Sequence, residues 1–227
     1  MGNLSPIAHA TGGVTSSFAP GDIAKWPLAC WRDNGDSGSG LADADVAGGG
    51  KTLTMDGTDN DCETAEWGGE AVNPLTVGTR FGFEAVITVT EASTNKSDWF
   101  IGFSDTATSS LWSDADALAS GVHIGFAKYT ASMFFRRILQ QATTNSGDTS
   151  ATTTAFASAT EYRLKLEAEV LTDGIHARYY VDGVLLGSEL NVATTSYGLM
   201  SPCFSISTNG TNAEVMQVKS FVPYSVI

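Results

Sequence analysis

Nine consecutive residues, Tyr162 to Val170, alternate without a break between apolar and charged side chains. Tyr162, Leu164, Leu166, Ala168 and Val170 are apolar, and Arg163, Lys165, Glu167 and Glu169 are charged. A period of two places the sets on opposite faces of an extended strand, one buried and one wet. A turn signal follows at Thr172-Asp173-Gly174, then a second extended run from Ile175 to Val181. Asp182-Gly183 favours a two-residue hairpin turn, and Val184, Leu185 and Leu186 return from it. Phe81, Phe83, Ala85, Ile87 and Val89 repeat the alternation upstream. Trp99 to Phe103 is apolar with little alternation, which predicts a strand covered on both faces.

The rest of the chain keeps this cadence. Lys51–Met55, His123–Lys128, Met133–Leu139, Phe204–Ile206 and Ala213–Phe221 read as further strands, with Asn209-Gly210 as another tight turn. Gln140–Thr160 is Thr-rich and reads either as a loop or as two weak strands with a Thr-covered solvent face. No segment has a convincing helical period; Ser113–Gly121 is expected to form one or two helical turns capped by Ser113. The terminal Val222–Ile227 is apolar and is expected to pack. The fold class is therefore all-β, a two-sheet antiparallel sandwich. Residues 1–25, mixed in Gly, Ser and Pro, read as an extended N-terminal arm, and 26–227 as the sandwich domain.

Composition narrows the function classes. Net charge is −13, which repels phosphates and anionic lipid, so neither nucleic acid nor a membrane is an expected partner. The N-terminus lacks a basic region followed by an apolar core, so no secretory signal is expected, and no apolar run has the length of a membrane span. Cys30, Cys62 and Cys203 match no zinc spacing; three reduced thiols and a single disulfide both fit the count.

Four segments together resemble a known architecture: Lys51–Trp67, Arg80–Asp105, Tyr162–Ser188 with its "YYVDGV", and Leu199–Phe221. They are similar to the concanavalin-A-like (laminin-G-like) jelly roll. The order TDND, FEAVI, DWFIGFSDT, YRLKLE, YYVDGV and a Leu199–Pro202 pair looks like tailed-bacteriophage virion proteins of the head-decoration type. The resemblance implies a non-enzymatic capsid decoration or cement protein on the virion surface. Its partners would be the major capsid protein and copies of itself, most simply as a trimer. Trp26 and Trp31 then become arm or interface anchors, since Trp is enriched at interface hot spots; packing within the domain is the plainer role for both. The alternative function is a lectin-like carbohydrate-binding module for host-surface glycans.

The chemistry of an enzyme is missing. Glucanases on this sandwich carry paired glutamates within a Glu-x-Asp-x-Glu arrangement, and no such triplet occurs. Glu167 and Glu169 share a strand face with Arg163 and Lys165, the pattern of a salt-laced solvent face. Gly35–Gly40 misses the nucleophile-elbow pattern and lacks the preceding strand. His9, His123 and His176 have no metal-ligand spacing; His176 is expected on a wet face and His123 as a satisfied sheet residue. No catalytic residue and no required cofactor are expected. Asp56, Asp59, Asp61 and Glu63 form a weak Ca²⁺ candidate, because oxygen ligands at two-residue spacing can converge on a hard cation; a turn with solvated carboxylates is the plainer reading. Trp112, beside Ser113 and Asp114, is a candidate platform for a sugar face, or a lid on the sandwich.

Overall fold

The two residue sets of Tyr162–Val170 separate as their period requires: the even-numbered ones are buried and the odd-numbered ones reach solvent. The computed structural model describes residues 22–25, 27–33, 40–43, 49–57, 62–67, 76–92, 97–105, 111–114, 117–130, 132–140, 148–191, 200–208 and 213–226. Two 3-10 turns, Ile23–Lys25 and Leu28–Cys30, precede the strands. The strands are β1 (Trp31–Asp33), β2 (Gly40–Asp43), β3 (Lys51–Thr54), β4 (Cys62–Trp67), β5 (Arg80–Thr90), β6 (Ser97–Ser104), β7 (Trp112–Asp114) and β8 (Ala117–Leu118). They continue as β9 (His123–Lys128), β10 (Phe134–Gln140), β11 (Asp148–Ala155), β12 (Glu161–Leu171), β13 (Gly174–Val181), β14 (Val184–Asn191), β15 (Ser201–Thr208) and β16 (Val215–Val226).

Two seven-stranded sheets stack face to face. The first has the order β1-β4-β15-β6-β9-β10-β11 and the second β14-β13-β12-β5-β16-β3-β2, while β7 and β8 pair apart from both. Neighbouring strands are antiparallel, joined by a short turn in hairpins such as β12–β13 and by long connections where they lie far apart in the chain. The fold class is the expected antiparallel sandwich.

The core is an aromatic lattice between the sheets. Phe83 of β5 meets Phe103, Phe126 and Phe221 edge to face, with centroids 5.8, 6.0 and 5.1 Å apart. This geometry sets a positive ring edge on a negative face. Phe126 passes the contact to Tyr179 at 5.4 Å, and the Tyr179 hydroxyl donates to the Ile138 carbonyl at 2.6 Å, joining the sheets with a buried hydrogen bond. A second knot sits toward one end, where Phe135 packs on Trp99, Phe156 and Tyr162.

Local chemistry sets the ends of the strands. Asp182 and Gly183 both have positive φ, 51° and 79°, as a primed hairpin turn demands. The Asp182 Oδ1 accepts from the Arg163 backbone N–H at 2.9 Å and fastens the turn to β12. Buried cations sit among acceptors: Lys128 Nζ is ion-paired with Glu91 and donates to the Ser97 carbonyl at 2.9 Å. Lys51 Nζ donates to Asp43 Oδ1 at 2.6 Å and to the Ala24 carbonyl at 3.0 Å.

One expectation is corrected, and others gain detail. Ser113–Gly121 is not helical where it is described; β7 and β8 form a small hairpin there, because Leu111, Trp112 and Leu118 gain more by covering the first sheet than a short helix could supply. Part of the Thr-rich stretch is β11, an edge strand with two register shifts against β10. The final strand runs on to Val226, because Val222–Val226 keeps pairing with β5. Of the arm, residues 22–25 lie against this chain's own sandwich. Ile23 and Ala24 are fully buried, and Asp22 Oδ1 accepts from the Phe221 N–H at 2.9 Å. Trp31 is no exposed anchor: it is buried, its indole N–H donates to the Ile23 carbonyl at 3.2 Å, and its ring meets Phe204 at 5.0 Å. Trp26 lies outside the described residues.

Phe83 is fully buried at the centre of the lattice. Phe83→Ala should cost about 3–5 kcal/mol in denaturant unfolding, whereas Val184→Ser, on an exposed hairpin, should stay within about 0.5 kcal/mol. Equal losses would contradict the packing described.

Candidate functional site

The middle of the first sheet's outer face is covered. Phe100, Ala127, Ile138 and Cys203 point away from the main core and are covered by Leu111, Trp112, Leu118 and Tyr129. This second apolar cluster explains why Trp99–Phe103 carries so little alternation: both faces of β6 are buried. The covering segment is pinned at its base. Val122 N–H donates to Asp105 Oδ1 at 2.7 Å, and Ala119 N–H donates to the Leu111 carbonyl at 2.7 Å. Beneath it, the Trp112 indole N–H donates to Ser205 Oγ at 3.0 Å. Trp112 is 8% exposed and meets Tyr129 edge-on, so its ring face is not open to a sugar. Burial holds His123 below the usual imidazole range; its ring nitrogens face Ser104 Oγ at 3.0 Å and the Ala119 carbonyl at 2.9 Å. Burial also lifts the Cys203 thiol well above its ordinary value, so its reactive thiolate is suppressed; all three cysteines are free.

The acidic loop does not gather a cation site among the described residues. Asp56 is exposed, while Glu63 is fully buried and shares the inner face of β4 with Ala65 and Trp67. Asp59 and Asp61 lie outside the described residues. Among the described residues no group of three His, Cys, Asp or Glu side chains is placed to hold a metal ion.

The outer face of the second sheet is open, and register composes it. Val222 of β16, Glu84 of β5, Lys165 of β12 and Tyr180 of β13 stand in one row across the strands. The next row is Tyr224, Gly82, Glu167 and Arg178, and the next Val226, Arg80, Glu169 and His176. Gly82 is required by this arrangement: a Cβ there would strike the Leu166 carbonyl oxygen and sit 2.7 Å from the Tyr224 hydroxyl. Its absence lets the Tyr224 ring lie across β5 toward β12.

Two adjoining depressions result. One, of about 400 Å³, is lined by Arg80, Glu167, Glu169, His176, Arg178 and Tyr224. The other, of about 450 Å³, is lined by Glu84, Val86, Arg163, Lys165, Tyr180 and Val222, and Glu167 borders both. The charges are interlocked. Lys165 Nζ bridges Glu167 at 2.8 Å and Glu84 at 3.6 Å, and Arg80 bridges Glu169 at 3.0 Å. The Tyr180 hydroxyl donates to Glu167 at 3.3 Å. The hydrogen bond from Lys165 holds the Glu167 carboxyl below its usual range, and Glu167 in turn raises the Lys165 ammonium. Burial, then the Glu167 charge, pushes the Tyr224 phenol up to about 12. At neutral pH Glu167 is thus held as a carboxylate and Lys165 as an ammonium, beside the neutral Tyr224 phenol. Glu167 is the reverse of the raised, proton-carrying carboxyl that glycoside cleavage needs.

Sequence reasoning placed Arg163, Lys165, Glu167, Glu169 and His176 on a wet face, where they are found. It missed Gly82, Glu84, Tyr180, Tyr224 and Val222 as members of the same surface. The alternation of Val222, Tyr224 and Val226 with buried neighbours carried part of that signal.

No protein-family model matches the chain, and no curated protein matches it in sequence. Solved structures match its shape. A protein of unknown function from Shewanella oneidensis MR-1 covers 98% of this chain and 91% of its own, with a TM-score of 0.59 and 12% identity. Peanut lectin, solved with a 9mer peptide, matches with a TM-score of 0.65 over 94% of this chain and 98% of its own, at 12% identity. The carbohydrate recognition domain of Emp47p gives 0.63 over 95% and 99%, at 9% identity. That of Emp46p has been solved in metal-free and potassium-bound forms. These likenesses establish the fold: a concanavalin-A-like, legume-lectin-type β-sandwich.

Tyr224 offers a direct check on the open face. A phenol whose pKa is higher folded than unfolded contributes stability that is whole below about pH 10 and fades as pH rises toward the folded value. Ultraviolet titration should show tyrosine ionisation near pH 12, and Tyr224→Phe should reduce it by one tyrosine. A Tyr224→Phe variant that leaves this late ionisation whole would contradict the geometry.

Proposed function

We propose that this chain is a non-catalytic, lectin-like glycan-binding module that reads sugars with the outer face of its second sheet. The observation that carries the reading is the meeting of aromatic rings and fixed polar groups in two adjoining depressions of about 400 and 450 Å³. Sugar recognition needs an apolar ring to cover a pyranose face and planar charged groups to bind neighbouring hydroxyls in pairs. Tyr180 offers the first, with the aliphatic Val222 beside it, and Arg163, Glu84 and Glu167 the second. The lectin and carbohydrate recognition domains among its structural neighbours add support by analogy of fold. Glu167, held as a carboxylate by Lys165, favours binding over cleavage.

A second reading is favoured by the four segments that resemble phage virion proteins. On it, the chain is a decoration protein at the capsid surface, bound to the major capsid protein as a homo-oligomer, most simply a trimer. Avidity over a shell lets small contacts suffice for such a role.

A glycan array followed by calorimetry separates the two. The glycan reading expects saturable binding, with Kd on the order of 10 µM to 1 mM for one site. Tyr180→Ala should weaken it about tenfold or more, a loss of about 1.4 kcal/mol, with the circular dichroism spectrum unchanged. A chain that ignores every glycan and sediments as a trimer would overturn the glycan reading in favour of the virion one.

A further inference from the structure

The cations of this acidic chain are unevenly placed. Lys and Arg total twelve against a net charge of −13. Five of them, Arg80, Arg163, Lys165, Arg178 and Lys219, stand on or beside the outer face of the second sheet. Four carboxylates project from the same strands, and each is bridged: Glu84 and Glu167 to Lys165, Glu169 to Arg80, and Glu161 to Lys219 at 2.7 Å. The bridges neutralise Arg80, Lys165 and Lys219 locally. Arg178 is exposed and makes no hydrogen bond or ion pair among the described residues. Its cross-strand partner Glu167 is already held by Lys165 and Tyr180. Arg178 therefore presents an uncommitted guanidinium to the depression of about 400 Å³, beside His176, Arg80 and Tyr224. His176 is tethered to Asp173 at 2.9 Å, which positions its ring at the rim.

A guanidinium fork matches a carboxylate with two parallel hydrogen bonds. Elsewhere the strongly negative surface would repel such a ligand, so this face is where the chain can accept one. We infer that the depression between β5, β12, β13 and β16 takes a carboxylate-bearing sugar, a uronic or sialic-acid residue, with the Arg178 guanidinium pairing with its carboxylate. The inference rests on the glycan-binding reading and names its ligand class. Arg178 acts here as a binding residue, and Glu167 and Glu169 remain acceptors for ring hydroxyls.

The test is a titration of the full chain, by calorimetry or two-dimensional NMR, with four probes: methyl galacturonate glycoside bearing a free carboxylate, methyl sialoside, neutral methyl galactoside, and acetate. Wild type should bind at least one acidic sugar about tenfold or more tighter than the neutral one, with acetate weaker than either, and added salt should weaken the acidic sugar. Which acidic sugar binds decides between the two sources. Arg178→Gln should abolish the preference, and Arg178→Lys should restore it in part. Arg32→Gln, on the first sheet, should preserve it. Equal affinity for acidic and neutral sugars, or a preference that survives Arg178→Gln, overturns the inference and leaves the glycan reading standing. No binding of any sugar overturns both.

Discussion

The structure depends on one constraint: two strand faces of period two must bury their apolar sets against each other. At Phe83 that requirement is met across the interface, with three rings from both sheets edge to face around it. Neither sheet can shift its register by one residue without turning these rings to water and drawing charges inward. Everything outward-facing is fixed as a consequence. Glu167 faces solvent because Leu166 and Ala168 cannot.

The two outer faces then follow different courses. That of the first sheet is apolar and acquires its own cover, with Trp112 and Leu118 laid over Phe100 and Cys203. That of the second sheet is polar and stays open, its charges satisfied by one another. A bridged pair on an exposed face contributes little to stability. Its effect here is geometric: Lys165 holds Glu84 and Glu167 in place, and Gly82 lets Tyr224 lie flat beside them. The surface is thereby preorganised, which lowers the entropy lost when a ligand binds.

Much of this was legible in the sequence. The Tyr162–Val170 alternation gave the strand and its wet face, and Asp182-Gly183 gave the hairpin, because both signals are local. The continuous apolar run at Trp99–Phe103 announced a strand with two buried faces, without revealing that its second cover is the Leu111–Leu118 segment. The site was legible only in part. Tyr224 stands beside Glu167 through the register of β16 on β5 and of β5 on β12, a pairing between segments far apart in the chain. Trp31 and Trp112 each read two ways, as packed rings or as exposed platforms, because sequence alone does not show what covers a large ring; both are buried, the plainer reading. Glu63 looked like a ligand by spacing, yet pleat alternation turns it inward, while Asp56 stays exposed.

The claim that most needs testing is that recognition occurs on the open sheet face. Hydrogen–deuterium exchange with saturating glycan tests it most directly. The account expects new protection across 161–181 and 215–226, with 105–122 unchanged. Protection centred on 105–122, with the open face unaffected, would contradict it.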